Sequence, residues 1–417
     1  MSIQLDSSGS QGPVYIRLLR NRSFMLLWSG NTISGIGDTF FSIAVMWAIY
    51  STSHSMLQTS FIQVVGQLDR ILFGTIAGIF ADRWDRKKIM ISVNILSAVI
   101  LGALAAWMGM SGHLSTAAIY AAIFLLNVLS TFFQPASAAM MPEVVGRDLL
   151  ASAQGLFSAA GNTVSLISNS LAGFVVAAVG ALWGVAGDAI SFLFPALFIA
   201  MAKLPAHTKE PTSAETSPSF IREIIVGWRA ISNQPVVKAM VWISMLVNVA
   251  SFLGPMTIGL IHARLHSGPA ALGMWGSAGV IGAAIGGILA GPLERRIGAG
   301  RILAVGWVLT GLCIIGQAIS IWLPVTLVLE VIGAMGLTVG GVSIGAVTDV
   351  LIPENLRGRV WGISGSLSVI AIPISSLISG WLADIFSPVA LYAVGGIWVV
   401  GVAALCWFNR HIRTARI

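Results

Sequence analysis

The stretch Gly-Thr-Ile-Ala-Gly-Ile-Phe-Ala-Asp-Arg-Trp-Asp-Arg-Lys-Lys-Ile, residues Gly74 to Ile89, decides the fold of this chain. It is an apolar helical segment with glycines four residues apart, and it ends in Asp82, Arg83 and a basic cluster. A related stretch, Gly-Ile-Leu-Ala-Gly-Pro-Leu-Glu-Arg-Arg-Ile-Gly-Ala-Gly-Arg-Ile, follows 213 residues later, from Gly287 to Ile302. Because this shift spans half of the chain, the pair predicts a duplicated membrane unit with a charged loop in each half.

The composition requires an integral membrane protein. Of the 417 residues, 56% are hydrophobic and only 9% are charged, whereas soluble domains carry about 25% charged residues. A packed soluble core cannot hide this much apolar surface. The polar residues 1–21 lack the apolar core and cleavage site of a signal peptide, so we expect the first long helix to act as an uncleaved insertion signal.

Apolar runs long enough to cross a bilayer, which takes about 20 residues, occur twelve times along the chain. We predict helices 1 to 12 at residues 22–49, 57–81, 89–110, 115–140, 150–178, 181–203, 235–262, 268–293, 301–321, 323–347, 359–384 and 387–409. All but two of the 23 lysines and arginines lie in or beside the two tails or the loops after even-numbered helices; the exceptions are Arg70 and Arg264. This asymmetry predicts that both termini are cytoplasmic. It also explains the net charge of +7, so no nucleic-acid partner is expected.

A polar segment with three prolines divides the chain into two halves. We predict an N-terminal six-helix bundle at 1–203, a cytoplasmic linker with an amphipathic helix at 204–234, and a C-terminal six-helix bundle at 235–417. Two parallel repeats of this kind imply a pseudo-two-fold axis along the membrane normal and a site between the halves at mid-depth.

The motifs resemble those of the major facilitator superfamily over the whole chain. Gly78-Ile-Phe-Ala-Asp-Arg-Trp-Asp-Arg-Lys-Lys is similar to the superfamily motif G-x-x-x-D-R-x-G-R-[RK], with Asp85 where the general pattern has glycine. This variant, together with Leu27-Trp28 and Gly358-Arg359-Val-Trp-Gly, resembles the drug:proton antiporter branch that contains macrolide efflux proteins and the enterobactin exporter. The resemblance implies an all-α membrane protein with twelve transmembrane helices in two pseudo-symmetric six-helix bundles.

The resemblance gives Asp82 a conformational role. At the cytoplasmic end of helix 2, Asp82 is expected to bind the start of helix 11, where unpaired N–H groups and the helix dipole favour a carboxylate. This clamp exists only while the cytoplasmic side is closed, so it favours the outward-open state. The second copy has Arg295 at the equivalent position and Glu294 one residue earlier, about 100° around the helix, so the clamp belongs to the first half alone.

The rest of the loop motif has simpler expected roles. We expect Arg83 and Arg86 to hold Asp82 in place or to pair with Glu143 or Glu354, while Lys87 and Lys88 mark the cytoplasmic side. The glycines Gly74 and Gly78, repeated as Gly287 and Gly291, predict close helix packing in both halves. The conformational motif therefore comprises Gly78, Asp82, Arg83, Arg86 and Lys87.

Ionisable side chains at membrane depth are costly and usually face a cavity or a partner. Four carboxyl groups are therefore candidates for carrying a coupling proton: Asp38, Asp69, Asp188 and Glu330. Asp38 leads and Asp69 is second, because they lie nearest mid-depth. Arg70 needs a carboxylate partner, which Asp38 or Asp188 is expected to supply. The alternative is a buried aspartate–arginine pair that only fixes helix packing.

Polar side chains inside the apolar helices are candidates for lining a substrate cavity. They are Asn31, Gln63, Gln67, Arg70, Asn127, Gln134 and Asn248. The amides in helices 4 and 7 are equally consistent with hydrogen bonds between helices. Cys313 and Cys406 lie in apolar runs, so neither a disulfide, a metal site nor a cofactor is expected.

These features predict a monomeric secondary transporter in the plasma membrane, the inner membrane of a bacterium. It is expected to export lipophilic, drug-like small molecules such as macrolides in exchange for protons. An exporter of a self-made metabolite such as a siderophore, and a non-transporting scaffold or sensor, are the alternatives. Antiport is left open because Ser168-Asn169-Ser170-Leu171-Ala172-Gly173 lacks the proline of the superfamily's antiporter motif. An ATP-driven pump and an enzyme are not expected, since no phosphate-binding loop or catalytic constellation is present.

Overall fold

The computed structural model describes residues 14–111, 115–203, 228–229, 231–233, 235–352 and 371–409. Within these ranges only the backbone is described at residues 70–71, 74–76, 78–83, 236, 240 and 347–351. All regular structure in this part of the chain is helical, which confirms the all-α fold class. The amphipathic helix predicted in the linker lies mostly outside the described residues.

Twelve helices of the described chain correspond to the predicted spans. They are α1 Arg22–Ser53, α2 Met56–Arg83, α3 Arg86–Ser111, α4 Thr116–Val145, α5 Leu150–Val179, α6 Ala181–Met201, α7 Val237–Ala263, α8 Pro269–Ile297, α9 Ala299–Ile319, α10 Leu323–Leu351, α11 Ala371–Ile385 and α12 Pro388–Phe408. Ten are long and apolar enough to cross a membrane; α2 and the described part of α11 are not counted among them. The number of crossings and their orientation therefore remain predictions.

Glycines and polar caps set the ends of several helices. Gly146, Gly180 and Gly298 have φ values of 81°, 87° and 91° at the turns that follow α4, α5 and α8. This region suits glycine because a Cβ atom would be strained there. Asn21 starts α1 by accepting a hydrogen bond from the Phe24 N–H at 3.1 Å. Turns this short place consecutive helices side by side.

Two helices are interrupted, and a proline explains each interruption. In α6 the helical pattern breaks at Phe192, between Ala181–Ser191 and Leu193–Met201. In α7 a 3₁₀ turn occupies Ala250–Phe252. Pro195 and Pro255 lie just beyond these points, and a proline removes the N–H that would bond to the carbonyl four residues earlier. The break in α6 turns Phe192 toward the cavity described below.

The two halves pack together through small residues of α5 and α8. A Cβ atom added to Gly173 would lie 2.5 Å from the Pro269 carbonyl oxygen. The hydroxyl groups of Ser170 and Ser277 are 2.7 Å apart, and the Ser277 hydroxyl donates to the Leu166 carbonyl at 2.5 Å. Small residues let membrane helices approach closely enough for such contacts. The segment that replaces the superfamily's antiporter motif is therefore part of this interface.

The expected close packing at the second glycine pair is wrong for this conformation. A Cβ atom at Gly287 or Gly291 would have no atom of the described residues within 4 Å. The tight contacts of α8 are made instead by Gly282 and Gly286, and a Cβ at Gly286 would lie 2.6 Å from the Met335 carbonyl oxygen of α10. Gly287 is one residue further, about 100° around the helix, and so points away from α10. The surroundings of Gly74 and Gly78 lie outside the described residues.

Gly273→Ala is expected to lower the thermal unfolding temperature of the purified protein, because its methyl group would collide with the Asn169 carbonyl of α5. Overpacking of this kind costs about 1–3 kcal/mol. Gly287→Ala on the same helix is the control: it enters open space, and alanine favours a helix over glycine by about 1 kcal/mol. Equal unfolding temperatures for the two variants would contradict the α5–α8 interface.

Candidate functional site

A cavity of about 590 Å³ lies in the N-terminal half of the molecule. Its described lining comes from α1, α2, α3, α4 and α6, and it combines aromatic and aliphatic side chains with a set of polar groups. The polar lining residues are Asn31, Ser34, Asp38, Ser42, Asn94, Ser97, Asn127, Ser130, Gln134, Ser137 and Asp188. The sequence predicted a site between the halves, whereas the described lining contains no residue of α7 to α12.

Three of the seven predicted cavity residues, Asn31, Asn127 and Gln134, line this cavity. These three residues line one cavity because the polar faces of α1 and α4 both face it. Asn127 also donates from its amide nitrogen to the Ile123 carbonyl of its own helix at 2.8 Å. This internal hydrogen bond leaves the Asn127 amide oxygen as an acceptor for a ligand.

The other predicted cavity residues lie elsewhere. Gln63 accepts a hydrogen bond from the Ser376 hydroxyl of α11 at 2.9 Å and so joins the two halves. Asn248 donates to the Ser244 carbonyl of its own helix at 2.9 Å. The amide oxygen of Gln67 is buried without a described hydrogen-bond partner. The side chain of Arg70 lies outside the described residues, and so does its expected pairing with Asp38 or Asp188.

Asp38 and Asp188 bring two carboxyl groups to the same cavity. Asp38 is exposed to the cavity space. Asp188 is 1% exposed; its Oδ1 accepts from the Ser191 hydroxyl at 2.9 Å, and its Oδ2 has no partner among the described residues. Because Gly37 has no side chain, Asp188 and Ser191 contact the backbone of α1 next to Asp38: a Cβ atom at Gly37 would collide with Asp188 Oδ1.

The two carboxyl groups are close enough to interact electrostatically. No described side chain forms an ion pair with either of them. Two negative charges in such a site repel each other strongly, because a low dielectric constant increases the Coulomb energy. Uptake of a proton or of a cationic ligand relieves that repulsion. The pair therefore gives the cavity a charge that both a proton and a cation can neutralise.

Asp69 lies outside the cavity lining, although it is buried on α2. Its Oδ2 accepts a hydrogen bond from the Thr131 hydroxyl of α4, while Oδ1 has no described partner. This contact ties α2 to α4 within one half. The structure thus gives Asp69 a position suited to helix packing and away from the cavity.

Glu330 belongs to a separate polar network in the C-terminal half. The Gln317 amide nitrogen of α9 donates to Glu330 Oε2 at 2.9 Å. Gln317 Oε1 in turn accepts from the hydroxyl of Tyr392 on α12 at 3.0 Å. The Tyr392 ring packs edge-on against Trp275 of α8, with centroids 6.2 Å apart. The network joins α9, α10 and α12 and is remote from the described lining of the cavity.

Two residues of the loop motif tie α3 to its neighbours at the predicted cytoplasmic face. Arg86 forms an ion pair with Glu143 of α4 at 2.6 Å. The Lys87 ammonium donates to the carbonyls of Ala200 and Ala202 at 2.9 Å each. A cation at the C-terminus of α6 also interacts favourably with the negative end of the helix dipole. Lys87 therefore has a structural contact in addition to its expected role of marking the cytoplasmic side.

The expected clamp joins Asp82 to the start of predicted helix 11. The side chains of Asp82 and Arg83 lie outside the described residues, and so do the surroundings of Gly78 and residues 353–370, which include the start of predicted helix 11. The clamp therefore stays a prediction.

Sequence reasoning missed the contribution of α3 to the cavity. Asn94 and Ser97 line it, and the Asn94 amide nitrogen donates to the Met90 carbonyl at 2.7 Å. The signal was present, because Asn94 is the single amide in predicted helix 3 and Ser97 lies three residues later on the same helix face. The partners of Glu330, Gln317 and Tyr392, were also missed, since nothing in the sequence indicates which helices face each other.

The chain was compared with known protein families and curated proteins. A model of a family described as transmembrane secretion effector matches residues 16–414. Macrolide efflux protein A of Streptococcus pyogenes is 24% identical over 404 residues, covering 94% of this chain and 96% of that protein. The multidrug efflux pump Tap of Mycolicibacterium fortuitum is 25% identical over 381 residues, 88% and 90% of the two chains. The enterobactin exporter EntS of Citrobacter koseri is 24% identical over 392 residues, 92% and 90%.

Solved transporter structures share the fold. A bacterial homologue of the iron transporter ferroportin, in an inward-facing state, has a TM-score of 0.70 at 15% identity and covers 94% of this chain and 100% of that one. The nucleoside transporter NupG has a TM-score of 0.73 at 12% identity, with 93% and 98% covered. At these identities the likeness concerns the fold alone.

Thr131→Val is expected to destabilise the protein by about 1–3 kcal/mol, because it leaves the buried Asp69 carboxyl group without its described donor. Replacing both partners, as Asp69→Leu with Thr131→Val, is expected to recover much of this loss. Thermal unfolding in detergent measures both effects. Thr163→Val is the control, since the described hydrogen bond of the Thr163 hydroxyl is to the Ala159 carbonyl of its own helix. Additive effects of the two substitutions would contradict the pairing.

Proposed function

The chain belongs to the transmembrane secretion effector family of the major facilitator superfamily, and we propose that it exports lipophilic, drug-like molecules such as macrolides in exchange for protons. The observation that carries this proposal is the pair Asp38 and Asp188 in one cavity without a described cationic partner. Macrolide efflux protein A and the multidrug efflux pump Tap match this chain along nearly their whole length. This match supports a transporter of small molecules in a bacterial inner membrane.

The cavity supports exchange because one site serves both ligands. Phe41, Phe133 and Phe192 offer apolar surface to a lipophilic molecule. Asp38, exposed to the cavity, is the group that meets a proton or a cationic substrate first, and Asp188 lies behind it against Gly37. A substrate cation and a proton each neutralise the same pair, so the binding of one favours release of the other. That competition is the thermodynamic basis of antiport.

The alternative substrate is a self-made metabolite such as a siderophore, because one relative is an enterobactin exporter. The cavity chemistry favours the drug-like substrate. Two carboxyl groups without a cationic partner among the described side chains repel an anionic chelator and attract a cation, such as the protonated amine of a macrolide. The two hypotheses separate experimentally, because deletion of a metabolite exporter reduces secretion of that metabolite without changing drug susceptibility.

Asp38→Asn is expected to abolish pH-driven substrate uptake into inverted membrane vesicles, because the amide cannot exchange a proton. Asp69→Asn is expected to retain uptake, since Asp69 lies outside the cavity lining. Asp148→Asn serves as the control: Asp148 forms an exposed ion pair with Arg17 at 3.2 Å and takes no part in the proposed exchange. Normal pH-driven uptake by Asp38→Asn would rule out Asp38 as the proton carrier.

Expression in cells that lack their main efflux pumps is expected to raise the inhibitory concentration of macrolides and other lipophilic cations. The Asp38→Asn and Asp82→Asn variants are expected to remove this protection, the first through coupling and the second through the predicted clamp. Equal susceptibility of cells with the wild-type chain and with an empty vector would contradict the drug-export proposal.

Gly291→Leu tests alternating access itself. No atom of the described residues lies within 4 Å of a Cβ at this position in this conformation, so the variant is expected to fold with an unchanged unfolding temperature. In the alternate conformation the predicted cytoplasmic ends of the halves approach, and the leucine is expected to block that approach and stop transport. Gly401→Leu on α12 is the matched control, since Gly401 also has nothing within 4 Å. Normal transport by Gly291→Leu would show that this surface stays open throughout the cycle.

A further inference from the structure

A carboxylate joins the two halves at the face that we call the outer face, where α1 ends, α2 and α12 begin and α11 ends. Asp384, the residue before the last of α11, reaches the start of α2. Its Oδ2 accepts from the Ser55 hydroxyl at 2.7 Å and from the Leu57 N–H at 3.2 Å, and its Oδ1 accepts from the Met56 N–H at 2.5 Å. A side chain of the C-terminal half thus caps a helix of the N-terminal half.

The cap is chemically complete only when both halves contribute. The first N–H groups of a helix have no partner within it. Ser55 caps α2 locally, because its hydroxyl accepts from the Gln58 N–H at 3.2 Å. The two preceding N–H groups, of Met56 and Leu57, are satisfied by Asp384. Hydrogen bonds to a carboxylate are stronger than neutral ones, and the positive end of the α2 dipole adds to them.

The face of α11 that carries Asp384 contacts α2 over two further helical turns. Ser376, Gly380 and Asp384 are spaced by four residues and so share one side of the helix. Ser376 donates to Gln63 Oε1 at 2.9 Å. A Cβ atom at Gly380 would lie 2.9 Å from the Leu57 Cα. The cap is therefore the outermost of three successive contacts between the halves.

We propose that Asp384 is the outer latch of this transporter: it holds the outer face closed, and it must release α2 before the cavity opens on that side. The inference rests on the alternating access proposed above. The latch also has a counterpart at the other end of the same two helices, because α2 and α11 are predicted to cross the membrane in opposite directions. Asp82 is the residue before the last of α2 and is predicted to cap α11 at the cytoplasmic face. The two latches, at opposite ends, hold opposite states.

Asp384→Ala removes all three hydrogen bonds and is expected to raise the ratio of outer-open to outer-closed molecules about fivefold to tenfold, as for the loss of one helix cap. Asp384→Asn keeps one acceptor oxygen and is expected to give a smaller rise. The ratio is read from electron–electron distance distributions between spin labels at Ala117→Cys and Ile321→Cys. Both positions are exposed in different halves near the outer face, and the native cysteines, Cys313 and Cys406, are replaced by serine.

Ser387→Ala is the matched control. The Ser387 hydroxyl caps α12 at the same face by accepting from the Val389 N–H at 3.2 Å, within one half, so its loss is expected to leave the ratio unchanged. Gly380→Ala is an independent test, because its methyl group pushes α2 away from α11 while Asp384 stays intact. It is also expected to raise the ratio of outer-open to outer-closed molecules. An unchanged ratio in Asp384→Ala, or an equal rise in Ser387→Ala, would overturn the latch.

The distance measurement is made without substrate and without a pH gradient. The distance measurement therefore tests the latch independently of the drug-export and proton-coupling experiments, and failure of those experiments does not change its interpretation. A raised ratio in Asp384→Ala supports the latch whatever the substrate is.

Discussion

A polar group inside a bilayer must find its partner within the protein or face a water-filled cavity, because lipid supplies no hydrogen bonds. This constraint accounts for where the charged and polar residues of this chain lie. Asp38 faces the cavity, Asp69 bonds to Thr131, and Glu330 is held by Gln317. The surroundings of each acid at membrane depth thus favour one of two roles: the proposed exchange with the cavity, or attachment between helices.

The same constraint explains how much the sequence could predict. A span must be a long apolar helix, so run length gave the bounds of most helices to within a few residues. α6, for example, was expected at 181–203 and occupies Ala181–Met201. What helical periodicity cannot supply is the identity of the neighbour. Gln63 lies on a polar stripe with Gln67 and was expected in the cavity, yet its partner is Ser376, more than three hundred residues away in the chain. A stripe gives the direction of a side chain and leaves open which helix packs against it.

The sequence repeat was similarly informative about architecture and misleading about contacts. It indicated two related halves, but it predicted close packing at Gly287 and Gly291, whereas Gly282 and Gly286 make the contacts. A transporter that alternates between two states cannot form all its helix contacts in either one. Glycines of a repeated motif that make no close contact in one state are therefore consistent with close contacts in the other state. The motif reflects the packing needs of both states.

The acids at membrane depth also differ between the two halves in how far they are satisfied. In the C-terminal half, Glu330 is hydrogen-bonded to Gln317, which is fixed by Tyr392; a chain of satisfied groups of this kind rigidifies the helices that it joins. In the N-terminal half, one oxygen of Asp188 has no described partner and Asp38 faces open space. Unsatisfied groups respond most to the arrival of a proton or a ligand, because they have the most to gain from it. In the exchange proposed above, the charge change therefore falls on α1 and α6, and the C-terminal half supplies the rigid body against which the proposed latch moves α2 relative to α11.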